Sequence, residues 1–136
     1  MRLLVLDGSN VLPFIVTRLV PDDVQVETVK TFDEARARIQ DDSPDAVIIN
    51  VFPSDLPWTD LQALCHGHNP PIPILYESSV WDNLEEAGLE DHNGHSHFLK
   101  KPYPVKELRA ELRRLLAMAG ADPLHLDEGN EREIEH

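Results

Sequence analysis

The sequence predicts an α/β domain: a parallel sheet with helices on both faces. Three observations predict it. Short apolar runs alternate with segments of helical periodicity over the first 120 residues, the pattern of repeated β-α units. The run Leu3-Leu4-Val5-Leu6 is apolar without alternation, as a strand buried on both faces must be. Each such run empties into polar or turn-forming residues, and right-handed crossovers between successive units then give one parallel sheet.

The elements follow in order. Residues 3–6 form the first strand, which ends at Asp7-Gly8-Ser9. Asn10 is placed to cap a helix running to Val20, with Pro13 tolerated in its first turn. Residues 24–29 read as the second strand. Thr31 and Glu34 form a capping-box pattern, and Phe32, Ala35 and Ile39 then share one helical face. Asp41-Asp42-Ser43-Pro44 stops that helix. Ala46-Val47-Ile48-Ile49 is the most hydrophobic strand and ends in Asn50. After a turn-rich loop, a third helix is expected to turn Trp58, Leu61 and Leu64 inward. Residues 72–76 read as the fourth strand. Ser79 and Asp82 mark the start of a short fourth helix to Ala87, and residues 91–94 form a turn. Residues 97–99 make a short fifth strand. The last helix has Pro104 in its first turn, a stripe of Val105, Leu108, Leu112, Leu115 and Ala119, and Gly120 at its C-terminal cap.

One domain over residues 1–120 fits a length of 136, and residues 121–136 read as a disordered acidic tail or linker. The 41% hydrophobic content and mean hydropathy of -0.33 fit a soluble globule. No apolar run has the length to span a bilayer. The N-terminus lacks the apolar stretch and cleavage site of a signal peptide. A single cysteine, Cys65, allows no internal disulfide framework. The expected location is the cytoplasm.

The net charge of -13 argues against direct nucleic-acid binding. Six of the twelve basic residues fall between positions 100 and 114: Lys100, Lys101, Lys106, Arg109, Arg113 and Arg114. This basic stretch precedes the acidic tail and reads as a solvated helix face, or as a surface for an acidic partner.

In an open parallel sheet, function gathers at the carboxyl ends of the strands. Here these ends bring Asp7, Asn50, the Tyr76-Glu77-Ser78 stretch and Lys101-Pro102 to one edge. With Leu4-Val5-Leu6-Asp7, Pro44-Asp45-Ala46-Val47-Ile48-Ile49-Asn50 and Phe98-Leu99-Lys100-Lys101-Pro102 in this order, the chain resembles a response-regulator receiver domain over residues 1–120. The resemblance implies a flavodoxin-like α/β/α fold with a five-stranded sheet in the order 2-1-3-4-5. It also implies Mg²⁺-dependent phosphoryl transfer to an aspartate after the third strand. A further acidic pair follows the first strand, a hydroxyl the fourth, and Lys-Pro the fifth.

The chain departs from that pattern. Asn50 stands at the acceptor position and Gly8 in place of one acid, while Tyr76 or Ser78 supplies the fourth-strand hydroxyl. Phosphoryl transfer needs an anionic nucleophile and a metal to neutralise the equatorial oxygens. An amide is neutral, and Mg²⁺ leans on carboxylates. No catalysis is therefore expected, and Mg²⁺ binding should be weak or absent. Lys101 is expected to bond Asp7 or Asn50 and lock the pocket.

By the same resemblance Phe98 is the switch aromatic. The fourth helix, fifth strand and last helix then form the interaction face, with Trp81, Lys106, Arg109 and Arg113 on it. The expected function is phosphorylation-independent binding of a protein partner, or of a second copy of the chain, in bacterial signalling. Three alternatives stand beside it: a working receiver using Asp7 or Asp55 with Mg²⁺, a flavodoxin-like small-ligand binder, and the receiver part of a DNA-binding regulator, with the acidic end as a linker. The histidines in Cys65-His66-x-His68 and His92-x-x-His95-x-His97 are read as structural, with no metal, because no cysteine pair supports a site. No phosphate loop or nucleophile elbow is present.

Overall fold

A computed structural model describes residues 1–91 and 93–121; of the expected acidic tail only Ala121 is among them, and residues 122–136 lie outside the described residues. Five strands form one parallel sheet: β1 (Arg2–Leu6), β2 (Gln25–Val29), β3 (Ala46–Asn50), β4 (Ile74–Ser78) and β5 (Ser96–Lys100). Their order is β2-β1-β3-β4-β5, as expected. Four helices cover it: α1 (Val11–Leu19), α2 (Phe32–Asp42), α3 (Trp58–His66) and α4 (Val105–Met118).

Alternation along the central strands splits the core in two. Leu3, Val5, Ile48 and Leu75 pack under Leu12 and Val16 of α1 and Leu108, Leu112 and Leu115 of α4. Leu4, Leu6, Ile49 and Tyr76 pack on the other side against Ile39 of α2 and Trp58 and Leu61 of α3. This is why β1 and β3 lack polar alternation: both of their faces are covered.

The local signals hold to different degrees. Thr31 caps α2 by accepting the Glu34 N–H, while its own hydroxyl donates to the Glu34 carboxylate at 3.0 Å. Glu34 thus returns to the side chain of Thr31. Gly120 ends α4 at φ +102, with N–H groups of Gly120 and Ala121 on the carbonyls of Ala117 and Leu116. That is a Schellman cap, for which glycine suits the left-handed position. Asn10, by contrast, makes no side-chain cap for α1. Val105 is 41% exposed rather than part of the stripe of α4, where Leu116 is buried instead. Leu64 is only half-buried on α3, and Cys65 takes the fully buried place.

Two expectations need correction. β4 starts at Ile74, not Ile72, because Pro73 has no N–H for the ladder and contributes only its carbonyl, to Val47 N–H. Ile72 N–H is instead tied back to Cys65 O at the end of α3. The short helix over residues 79–87 does not form; bends and turns fill that segment. Ser78 rather than Ser79 accepts the first free N–H groups, those of Val80 and Trp81, both at 3.1 Å. Asn83 and Glu86 then bond nearby backbone N–H groups at 2.9 and 2.8 Å, a local alternative to the helical ladder. Leu89 is still buried, and Trp81, Leu84 and Ala87 still pack on the core, so the segment covers its share of the sheet as an irregular strap.

Candidate functional site at the carboxyl edge of the sheet

β1, β3, β4 and β5 all deliver side chains to the carboxyl edge. Asp7 follows β1, fixed by its N–H on Val29 O, and only 4% of it is exposed. The parallel register sets Asn50 of β3 beside Glu77 of β4, and Ser78 beside Lys100 of β5. Lys101 N–H donates to Ser78 O at 2.8 Å, which turns the lysine back over the edge.

Lys101 is the hub. Its ammonium forms an ion pair with Glu77 Oε1 at 2.8 Å and donates to Asn50 Oδ1 at 3.1 Å. Tyr103 OH donates to the other Glu77 oxygen at 3.0 Å. The expected lysine–asparagine contact is therefore made, while the principal partner is Glu77 and not Asp7. Burial pushes the Glu77 carboxyl above its usual range, Lys101 and Tyr103 pull it back, and Asp7 adds a smaller repulsion. Burial, with Glu77 beside it, also pushes the Tyr103 phenol up.

Glu77 and Tyr103 are the functional candidates that sequence reasoning missed. The usable signal was a single acid following Ile74-Leu75-Tyr76 in a central strand. Such an acid is buried and requires a cation, and Lys101 lies at the end of the neighbouring strand.

The fourth-strand hydroxyl is Ser78, which is fully buried and accepts two N–H groups. Tyr76 does not belong to the site. It lies inside the core on the α2–α3 side, where burial raises its phenol well above the ordinary value. Phe98 is half-buried against that same core. Lys106 is exposed on α4, Arg109 and Arg113 are half-buried there, and Trp81 is half-buried on the strap.

Mg²⁺ fits this donor set poorly. Asp7 Oδ1 accepts Ser9 N–H at 2.9 Å, Gly8 offers no side chain, and the Asn50 oxygen is occupied by Lys101. One carboxylate remains where a hard divalent ion wants several oxygen ligands. Among the described residues no group of three or more histidine, cysteine or acidic side chains is arranged to hold a metal; His92 lies outside them. His66 meets Ser96 Oγ at 3.2 Å and His97 meets Gly94 O at 2.8 Å. Burial pushes the Cys65 thiol up to about 12, away from the thiolate form that reacts and binds metals. No helix among the described residues is long and apolar enough to cross a membrane.

Five parallel strands in this order, with a lysine turned over the ends of the third and fourth, define a flavodoxin-like receiver fold. Solved structures with this fold include the signal receiver domain of a protein described as a Luxo repressor from Vibrio parahaemolyticus. It is 21% identical, with a TM-score of 0.67 over 95% of this chain and 98% of that one. HP1043, an orphan response regulator of H. pylori, is 17% identical with a TM-score of 0.67, covering 85% of this chain and 96% of its own. The response regulator domain of Thermotoga maritima CheB is 20% identical with a TM-score of 0.61, over 90% and 98%. At these identities the likeness concerns the fold. No family model and no curated protein matches the chain.

Proposed function

We propose that the chain is a phosphorylation-independent receiver-like module of bacterial signal transduction, cytoplasmic and non-enzymatic, which binds a protein partner. The observation that carries this reading is the lysine clamp: Lys101 held by Glu77 at 2.8 Å and by Asn50 at 3.1 Å. A lysine free to meet an incoming phosphoryl group would need a weaker hold. Here a buried internal carboxylate supplies the negative charge permanently. The neutral amide of Asn50 gives no nucleophile for an acyl phosphate.

The proposed contact surface is β5 with α4 and the strap beside it, where Lys106, Arg109, Arg113 and Trp81 offer cationic and aromatic groups to an acidic partner or to a second copy of the chain. Two experiments test the reading. Incubation with acetyl phosphate and Mg²⁺ followed by intact-mass analysis is expected to show no phosphoryl adduct; an adduct mapped to Asp7 or Asp55 overturns it. Pull-down from the native host is expected to recover a partner that a Lys106→Glu, Arg109→Glu variant loses, and equal recovery by that variant removes the proposed surface.

A further inference from the structure

A cleft of about 340 Å³ opens beside the clamp, between the loops that follow β1, β2 and β3. Its size suits a small molecule, since ligand cavities run from roughly 300 to 1,000 Å³. Its wall is aromatic. The Trp58 ring meets Phe32 edge-on at 5.7 Å and Phe52 at 5.3 Å, and Trp58 Nε1–H donates to Phe52 O at 3.1 Å. That bond holds the wall in place. Phe52 and Leu56 line the cleft while 44% and 36% exposed, so a ligand would cover apolar surface that now faces water.

The charge balance specifies what fits. Glu77 already takes Lys101, so among the described residues no cation pairs with Asp7, which lines the cleft. Asp7 Oδ2 is buried and has no hydrogen-bond partner. Leaving a buried carboxylate oxygen unpaired is costly. Lys30 and Asp33, which also line the cleft, carry opposite charges and add no net charge to it. The sum is an aromatic wall beside one uncompensated negative charge, a combination that attracts aromatic cations and repels anions.

We propose that this cleft binds a small planar aromatic cation of the amidine or amino-heteroaromatic class. The ring lies against Phe52 and Trp58 and the N–H groups face Asp7. Asn50 also lines the cleft, as the neutral amide of the proposed phosphorylation-independent module, and the site adds ligand recognition to that protein-binding role.

The test is a titration of the ¹⁵N-labelled full chain with 2-aminobenzimidazole, followed at the Trp58 indole N–H and the Asn50 side-chain amide. Saturable shifts at both groups are expected. Asp7→Asn keeps the oxygen that accepts Ser9 N–H but removes the charge, and should weaken binding by about tenfold or more. Phe52→Ala should weaken it by a smaller factor through lost ring contact. Benzimidazole-2-carboxylate, the same ring system with the opposite charge, should give no saturable shift. Absence of saturation with the cation, undiminished binding in Asp7→Asn, or equal binding of the anion would each overturn the proposal.

Discussion

The interiors of β3 and β4 and the ends of the same two strands are both withdrawn from water, yet they are held by different forces. Ile48, Ile49, Ile74 and Leu75 are fully buried, and dispersion and the hydrophobic effect suffice for them. One or two residues further on, Glu77 is equally buried, and its carboxylate is met by Lys101 and Tyr103, with Asn50 holding Lys101 from the other side. The interior tolerates exchange of one hydrocarbon for another. The edge depends on every member of a small polar network being present.

Truncation at both places sharpens this contrast, and the largest effects belong here. Ile48→Ala should cost about 2–5 kcal/mol at any pH near neutrality, from lost transfer energy and the cavity left behind. Lys101→Met should cost a similar amount, about 3–5 kcal/mol at neutral pH, because it strands the Glu77 charge inside the protein. The double variant Glu77→Leu, Lys101→Met should recover most of that loss. Urea denaturation of the three variants checks it; a Lys101→Met protein as stable as the parent would mean the edge behaves like surface.

The pH dependence is smaller but more specific. Glu77 keeps its proton to higher pH in the folded chain than in the unfolded one, because burial raises it above 4.5. Between those two values the native state binds more protons, so stability falls as pH rises through that window and is level below it. Glu77→Gln should remove this component. Subtracting its denaturation profile from that of the parent chain isolates the effect, and coincident profiles would contradict it. Ile48→Ala should leave the pH profile unchanged in shape.

Most of the fold was legible because its signals are local and repeated. Apolar runs, the Thr31–Glu34 cap and the glycine after α4 each act within a few residues. Side-chain detail that periodicity does not carry decided the rest. Asn83 Oδ1 took the Glu86 N–H that a helix over residues 79–87 would have sent to Asp82 O, and Pro73 moved the start of β4 by two residues. At the site, Asp7, Asn50 and Lys101 were legible from their places after strands. The Glu77–Lys101 pair was not, because it depends on the register of β4 against β5 and on the direction in which the chain turns after Lys100. The same two-residue shift of β4 left the choice between Tyr76 and Ser78 open in the sequence.

Two smaller effects separate core from edge further. Cys65, in the core with its thiol raised to about 12, should resist a thiol reagent at pH near 8 until the chain unfolds; rapid labelling of the native protein would show that this part of the core opens. At the edge, Asn50→Asp alone should not confer Mg²⁺-dependent phosphorylation, since Glu77 still holds Lys101. Gly8 has open space where a side-chain carbon would stand and no positive φ, so adding Gly8→Asp to that variant is sterically free and should strengthen Mg²⁺ binding.

The clamp itself is tested most directly by adding beryllofluoride and Mg²⁺ to the ¹⁵N-labelled parent chain and following amide shifts at residues 7, 50, 78 and 101. A lysine already engaged by Glu77 and Asn50 predicts no saturable change at these positions. Saturable shifts there would contradict a permanently closed site.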